Sequence, residues 1–188
     1  EVSAAYTSGA LSLEQGVAVI LERSAAQGRT RGLGLMAAVD LDAGRAEQAI
    51  EPFAGEVELA AVNSPQAVTL CGDGNALKVL GKRLTAEGAN FRMLDLDYPF
   101  HSRMLDPVRD DLLRGLSTLR PRQATIPYYS TVSGTQCTGE MLDAEYWWRN
   151  ARQPVQFRDA ISAMAADGYG VFVEVGPHPI MQGYIRQT

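Results

Sequence analysis

The sequence predicts an α/β protein in which a small ferredoxin-like sheet domain interrupts a larger α/β body. Two observations carry this prediction. Patterns typical of strands alternate with patterns typical of helices along the 188-residue chain, as in layered α/β folds. Between residues 35 and 97 these patterns follow the order βαββαβ, which closes a four-stranded sheet with two helices on one face. We therefore assign residues 35–97 to the small domain and residues 1–34 and 98–188 to the body.

The first helix is predicted by a capping box. Ser12 precedes Gln15 by three residues, and such a pair satisfies two free backbone N–H groups at a helix start. Gly28 ends the helical pattern, and Arg23 lies near that end. The residues that share one helical face in this stretch are Val17, Ile20, Leu21 and Ser24.

Strand and helix signals continue through the small domain, which follows a glycine-rich loop at residues 28–34. The second predicted helix of this domain has an apolar face of regularly spaced leucines. These leucines are Leu77, Leu80 and Leu84. The predicted order is strand 35–39, helix 43–52, strand 57–62, strand 67–71, helix 74–87 and strand 91–96.

Helix and strand signals alternate again after the small domain. Asp106 and Pro107 are typical of a helix start. The remaining predicted elements are strand 126–132, helices near 143–151 and 157–167, and strand 171–175. This alternation indicates an α/β layer in the body.

Composition excludes several classes of function. The chain carries 17 basic and 22 acidic residues, a net charge of −5, and no basic run that could follow a phosphate backbone, so we expect no nucleic-acid partner. No apolar stretch is long enough to cross a bilayer, and the N-terminus lacks a secretion signal, so we expect no membrane association and a cytoplasmic location. Cys71 and Cys137 are too few for a zinc cluster or a disulfide framework.

Three residues are candidates for chemistry, and each has a structural alternative. His101 lies where the chain leaves the small domain, and crevices at such junctions often hold active sites, yet an isolated histidine is as often packed or solvated. His178 lies in a turn between two prolines. Arg23 fits either a carboxylate clamp or a solvated cation at a helix end. The sequence contains no phosphate-binding glycine loop, catalytic carboxylate pair or metal-ligand cluster.

Six short stretches, in register along the whole chain, resemble the acyltransferase domains of polyketide synthases and the related malonyl-CoA:acyl carrier protein transacylases. They are GALSLE (9–14), LMAAV (35–39), AVNSP (61–65), YPFHS (98–102), QPVQF (153–157) and FVEVGPHP (172–179). The resemblance implies an α/β-hydrolase-like body with an inserted ferredoxin-like subdomain. It also implies a ping-pong transfer, in which a serine takes the acyl group from coenzyme A and passes it to the phosphopantetheine thiol of an acyl carrier protein.

The resemblance gives roles to named residues. His101 matches the general base, which would remove the serine proton and later return a proton to the leaving thiol. Asn150 matches the position whose main-chain carbonyl accepts the Nδ1 hydrogen of that histidine. Arg23 matches the arginine that binds the free carboxylate of malonyl-type substrates through two hydrogen bonds.

The same resemblance concerns substrate choice. Phe100 occupies the bulky position that accompanies malonyl rather than methylmalonyl units, although Tyr98 and Pro99 fit neither common form of the selectivity motif. A methyl group is worth only about 1–3 kcal/mol of discrimination. Asn63 matches a residue that lines the site, and it also fits a turn former at a strand end.

The resemblance places the family's Gly-His-Ser-x-Gly motif immediately before Glu1. We therefore expect the nucleophile and the oxyanion hole to lie upstream, the body to be incomplete at its N-terminus, and the chain to be inactive by itself. The expected parent has malonyl-CoA as donor, an acyl carrier protein as acceptor, neighbouring synthase domains such as a ketosynthase, and no permanently bound cofactor. The alternatives are a non-catalytic docking domain and a ferredoxin-like binding module.

Overall fold

Eight α-helices and seven β-strands are present in the computed structural model, which describes all of residues 1–188. The helices are α1 (Val2–Thr7), α2 (Leu13–Gly28), α3 (Ala43–Ile50), α4 (Gly74–Ala86), α5 (Arg109–Gly115), α6 (Ala144–Arg152), α7 (Phe157–Ala166) and α8 (Gln182–Gln187). The strands are β1 (Leu35–Val39), β2 (Val57–Ser64), β3 (Ala67–Gly72), β4 (Phe91–Met93), β5 (Tyr128–Ser130), β6 (Thr135–Cys137) and β7 (Val155–Gln156). Short 3-10 helices cover Glu51–Phe53, Arg103–Val108 and Gly139–Met141.

Polar side chains cap the N-termini of four α-helices. The predicted capping box of α2 is confirmed, because Ser12 Oγ accepts from the Gln15 N–H at 3.2 Å and Gln15 Oε1 accepts from the Ser12 N–H at 3.0 Å. Asp73 caps α4 by accepting from two backbone N–H groups, each at 2.9 Å. Asp42 and Asp143 cap α3 and α6, and each accepts from one backbone N–H group. Each carboxylate replaces backbone partners that the first turn of a helix lacks.

The main sheet has five strands in the order β4-β1-β3-β2-β7. The first four are mutually antiparallel, with Leu35 opposite Gly72 in the β1–β3 pair and Val57 opposite Gly72 in the β2–β3 pair. Strand β7 lies far along the chain and adds to β2 in parallel. The predicted βαββαβ order is present over residues 35–93, and the later strand β7 extends its sheet.

Two large hydrophobic cores and a small third cluster of Met36, Ala60 and Cys71 hold the chain together. The larger is built from helices α1, α2, α5 and α6 and contains Trp147, Leu105 and Leu112, all at most 2% exposed. The second lies between the sheet and its helices and contains Leu70 and Leu77, which are fully buried. Each such leucine contributes about 2 kcal/mol by leaving water. The larger core draws on residues 5–26 and 105–151, and the second draws on residues 37–84.

The predicted strand at 171–175 is not formed. Val171, Val173 and Val175 are 85%, 80% and 94% exposed, and no other strand pairs with them. The alternating valines favour an extended conformation, but a strand also needs a neighbour for its backbone N–H and C=O groups. The predicted strand at 126–132 is shorter than expected, since β5 pairs only with β6.

Helix α2 presents its predicted apolar face to solvent. Val17, Ile20 and Leu21 are 45%, 50% and 63% exposed, whereas Val19 is fully buried on another face. The side of a helix that packs inward is chosen by its neighbours, here α1 and α5. No helix of the structure has the length and apolar character that a bilayer crossing requires.

Candidate active site

His101 lies on a tight bend between the sheet and the 3-10 helix at Arg103–Val108. Its backbone has φ of 60°, in the left-handed region that only a minority of non-glycine residues adopt. Two contacts hold the bend. Ser102 Oγ donates to the Pro99 carbonyl at 2.7 Å, and Cys71 Sγ lies 3.6 Å from the His101 carbonyl, within reach of a weak S–H hydrogen bond. The bend directs the imidazole toward the C-terminal end of α6.

The imidazole is oriented by a main-chain carbonyl. His101 Nδ1 lies 2.8 Å from the Gln153 carbonyl oxygen. Since a carbonyl can only accept, Nδ1 carries the hydrogen, and the neutral ring has a free lone pair on Nε2. Gln153 follows the last residue of α6 and is extended, with φ −83° and ψ 158°, so its carbonyl leaves the helical hydrogen-bond pattern.

The expected role of Asn150 as that acceptor is wrong. Asn150 lies three residues earlier, inside α6, where backbone carbonyls point along the helix axis. Its side chain instead donates to the Glu1 carboxylate. A local signal for Gln153 was available, because Pro154 disfavours helical geometry in the residue before it and so frees that residue's carbonyl.

Burial keeps the His101 ring uncharged. It is the main cause that lowers the pKa of His101 to about 4, and the nearby Arg23 cation lowers it further, while the hydrogen bond to Gln153 opposes the shift. The ring is therefore neutral at pH 7. A neutral imidazole with a fixed Nδ1 hydrogen can accept a proton on Nε2, which is what a general base does.

Arg23 is brought near His101 and has spare hydrogen-bonding capacity. Its Nε atom is buried and has no hydrogen-bond partner. Burial lowers the pKa of Arg23, and the Glu1 carboxylate opposes that shift. Buried polar groups normally have partners, so an unpartnered guanidinium N–H near a neutral imidazole suits an anionic ligand.

Glu1 anchors the start of the chain, a role that sequence reasoning missed. Its carboxylate accepts from the Thr131 N–H at 2.5 Å and from the Thr131 hydroxyl at 2.6 Å. It also accepts from Asn150 and, at 3.4 Å, from the Tyr146 hydroxyl. These bonds fix α1 against β5 and α6. The acidic side chain lies 130 residues away from Thr131 in sequence, so no local pattern could reveal the contact.

Phe100 and Tyr98 form one stacked pair. Their ring centroids are 5.1 Å apart with 9° between the ring planes. Phe100 also packs against Met36, Ala60 and Cys71. This packing fixes the Phe100 ring against the sheet and the Tyr98 ring.

The structure does not bring every candidate to His101. The Asn63 amide donates to Thr69 Oγ1 at 2.9 Å, a contact within the β2–β3 hairpin. His178 lies in an exposed segment of the C-terminal tail. The geometry thus brings His101 together with Gln153 and Arg23, whereas the Asn63 amide lies in the hairpin and the Phe100 ring packs on Tyr98 and the sheet.

Comparison with curated proteins relates the whole chain to one family. Residues 1–188 match the family described as "Acyl transferase domain". Polyketide synthase GfsB of Streptomyces halstedii is 41% identical over 189 residues, and erythronolide synthase EryA2 of Saccharopolyspora erythraea is 38% identical over 188 residues. Both alignments cover 100% of this chain but only 3% and 5% of the respective relatives.

Solved structures share the fold. The acyltransferase domain from module 8 of the salinomycin polyketide synthase superposes with a TM-score of 0.97 at 36% identity, over 100% of this chain and 44% of that one. A malonyl CoA-acyl carrier protein transacylase from Clostridium perfringens gives a TM-score of 0.92 at 27% identity, over 100% of this chain and 61% of that one.

Proposed function

The chain belongs to the acyl transferase domain family, and from this premise we propose that it is part of a polyketide synthase acyltransferase domain. The domain would move a malonyl-type unit from coenzyme A to the phosphopantetheine thiol of an acyl carrier protein. The observation that carries this proposal is the His101 ring, which is neutral and held by Gln153 with Nε2 free to take a proton. The likeness to polyketide synthases and to a transacylase supports the substrate class.

His101 acts as the base in both halves of the transfer. In the first half, Nε2 takes the proton of a serine hydroxyl as the serine oxygen attacks the thioester carbon. The C–S bond then breaks, and the proton passes to the departing coenzyme A thiolate. The second half runs with the carrier-protein thiol as attacker and the serine as leaving group. We place that serine upstream of Glu1, so the chain by itself forms no acyl adduct.

Arg23 selects acyl units that carry a free carboxylate. A planar guanidinium can donate two parallel hydrogen bonds to a carboxylate, and Arg23 Nε has no partner within the chain. Removing one partner of a buried charge pair costs about 2–5 kcal/mol, which corresponds to roughly 30-fold or more in affinity. The stacked Phe100 and Tyr98 rings narrow the site and favour malonyl over branched units. We also propose that Asn63 lines the site. Its amide donates to Thr69 Oγ1, and this contact stabilises the β2–β3 hairpin that carries it.

The architecture that suits this function is an α/β-hydrolase-like body interrupted by a ferredoxin-like subdomain at residues 35–97. The two separate cores and the strand order β4-β1-β3-β2 support this division. His101 then lies at the junction of the two units, where a substrate can enter between them. The partners are the acyl carrier protein, the coenzyme A thioester and neighbouring synthase domains such as a ketosynthase.

The test is the intact mass of the complete acyltransferase domain that contains this sequence. The domain is incubated briefly with malonyl-CoA, methylmalonyl-CoA or acetyl-CoA, and the mass of any acyl adduct is read. We expect a malonyl adduct, which Arg23→Ala should weaken by roughly 30-fold or more. Arg31→Ala is the matched control, since Arg31 is exposed and already pairs with Asp97 at 2.9 Å.

The outcomes separate the two functional hypotheses. A malonyl adduct on the complete domain that is absent from His101→Ala supports transfer chemistry. No adduct with any of the three donors would leave the non-catalytic docking domain as the better account. If Arg23→Ala and Arg31→Ala weaken the malonyl adduct equally, the role of Arg23 as a carboxylate clamp is wrong, whereas the proposed acyl transfer still stands.

A further inference from the structure

One carboxylate lies behind the His101 bend and binds two arginines at once. Glu58 is on β2, and its side chain is only 19% exposed. It pairs with the Arg103 guanidinium and also accepts from the Arg103 backbone N–H at 3.2 Å. Its other contact is Arg152 Nη1, at 3.1 Å. Charge-assisted hydrogen bonds of this kind are stronger than neutral ones.

The two arginines are close in sequence to the two partners of one hydrogen bond, His101 and Gln153. Arg103 follows His101 by two residues, and Arg152 immediately precedes Gln153. Glu58 therefore connects the segment that carries the imidazole to the segment that carries its carbonyl acceptor. Arg152 is held from a second side, because its Nε donates to Asp106 at 2.7 Å.

The His101 bend needs such an anchor. A left-handed backbone at a non-glycine residue persists only where its surroundings determine it. A second contact comes from the same sheet, since Cys71 Sγ lies 3.7 Å from the Glu58 carbonyl and 3.6 Å from the His101 carbonyl. Cys71 thus contacts both the Glu58 backbone and the His101 bend, while the Glu58 side chain pairs with Arg103.

We propose that Glu58 is a positioning residue, whose carboxylate holds Arg103 and Arg152 so that His101 keeps its Nδ1 hydrogen on the Gln153 carbonyl. This inference rests on the proposed role of His101 as the base. Glu58 touches neither substrate nor reacting atoms, and it acts only through the two arginines. Glu58 belongs to the proposed small domain. The tautomer of His101 would therefore depend on the position of that domain relative to the body.

The first test reads the tautomer directly. A His178→Gln background leaves His101 as the single imidazole of the chain, because the chain has only two histidines. Nitrogen NMR shifts then report whether Nδ1 or Nε2 carries the hydrogen at pH 7. We expect the Nδ1–H form, and we expect Glu58→Gln to populate the Nε2–H form that imidazole prefers in water.

The matched control is Asp111→Asn. Asp111 also sits between two arginines, Arg29 and Arg114, but lies on α5 away from the bend. The control should leave the Nδ1–H form unchanged. If Glu58→Gln keeps the Nδ1–H form, or if both variants shift the tautomer equally, the proposal is wrong. If Glu58→Gln does not fold, Arg103→Gln cuts the same link from its exposed side and is judged by the same criterion.

The second test separates positioning from folding in the complete domain. Misplacing a catalytic group by about 1 Å can cost up to about 100-fold in rate. We expect Glu58→Gln to lower kcat of malonyl transfer by about 10-fold or more, with KM for malonyl-CoA unchanged. A rise in KM alone would contradict the proposal. If His101→Ala retains transfer, the proposed function fails, whereas the NMR result still decides the role of Glu58.

Discussion

At the scale of residues, the proposed chemistry of this chain depends on how one imidazole is held. The hydrogen bond to Gln153 selects the tautomer, and burial with the nearby Arg23 cation keeps the ring neutral. These effects work together, because a base must be both unprotonated and correctly directed. The arrangement also links the site to stability, since a group whose pKa differs between folded and unfolded chains makes stability depend on pH.

We predict that His101 makes the chain less stable as the pH falls from 6.5 to about 4. The pKa of His101 is lowered to about 4 in the folded chain from an ordinary 6.5, so in this window the unfolded chain binds a proton that the folded chain does not. Above pH 6.5 both states are neutral and the effect vanishes. Urea unfolding at pH 7 and pH 4.5 measures it.

The His101→Gln variant isolates this effect from carboxylates that titrate in the same range. We expect the free energy of unfolding to fall less between pH 7 and pH 4.5 in His101→Gln than in the unchanged chain. Equal losses in the two proteins would show that the ring is protonated as easily in the folded state as in water.

At the scale of elements, helix α2 places two nearby valines in opposite environments. Val19 is fully buried in the larger core, whereas Val17, two residues earlier, is 45% exposed. Periodicity alone groups Val17 with Ile20 and Leu21 as one apolar face, yet this face meets solvent. The contrast provides a matched pair of substitutions within one helix.

We expect Val19→Ala to lower the free energy of unfolding by about 2 kcal/mol, since it removes two buried methyl groups and leaves a cavity. Val17→Ala should change it by less than about 0.5 kcal/mol, because the site is exposed. Urea or thermal unfolding of the two variants measures the difference. A larger loss for Val17→Ala would mean that the exposed face is covered in solution.

Helix α4 depends on the Asp73 cap. The Asp73 carboxylate accepts from the Asn75 and Ala76 backbone N–H groups, both at 2.9 Å. We expect Asp73→Ala to cost about 1 kcal/mol of stability, with a smaller loss for Asp73→Asn, which keeps a capping oxygen. Circular dichroism during urea unfolding measures both. Identical losses for the two substitutions would assign the effect to charge rather than to the cap.

At the scale of the whole molecule, strand pairing, ion pairs and the packing of α7 on β2 join the two large hydrophobic cores. Strand β7 pairs with β2, Glu58 pairs with Arg103 and Arg152, and Arg31 pairs with Asp97. Both tryptophans of the chain, Trp147 and Trp148, lie in the larger core. Tryptophan fluorescence therefore reports on that core alone.

We predict that Leu77→Ala, in the smaller core, lowers stability by about 2–5 kcal/mol as seen by hydrogen exchange of strands β1 and β3. The fluorescence midpoint in urea should fall by less, because neither tryptophan contacts that core. The matched variant Leu112→Ala, in the larger core, should lower the fluorescence midpoint in urea by the whole of its loss of stability. Identical fluorescence shifts for both variants would mean that the two cores unfold as one unit.

Much of the fold was predictable from local sequence. Residues 35–93 follow the predicted βαββαβ order, and the capping box at Ser12 is present, because turn residues, caps and periodicity act over a few neighbours. His101 and Arg23 were candidates from their positions in the sequence, and the family resemblance gave them their proposed roles. Their assigned roles remain predictions.

What the sequence by itself determined is therefore the local order of elements and the identity of the base and arginine candidates. Pro154 frees the Gln153 carbonyl locally, but only the tertiary structure decided that His101 reaches this carbonyl rather than that of Asn150. It alone decided that α2 exposes Val17 and that 171–175 forms no strand. It also decided the Glu58 link between Arg103 and Arg152. The physical reason is that acceptor direction, burial and strand pairing depend on partners distant in the chain, which no local pattern specifies.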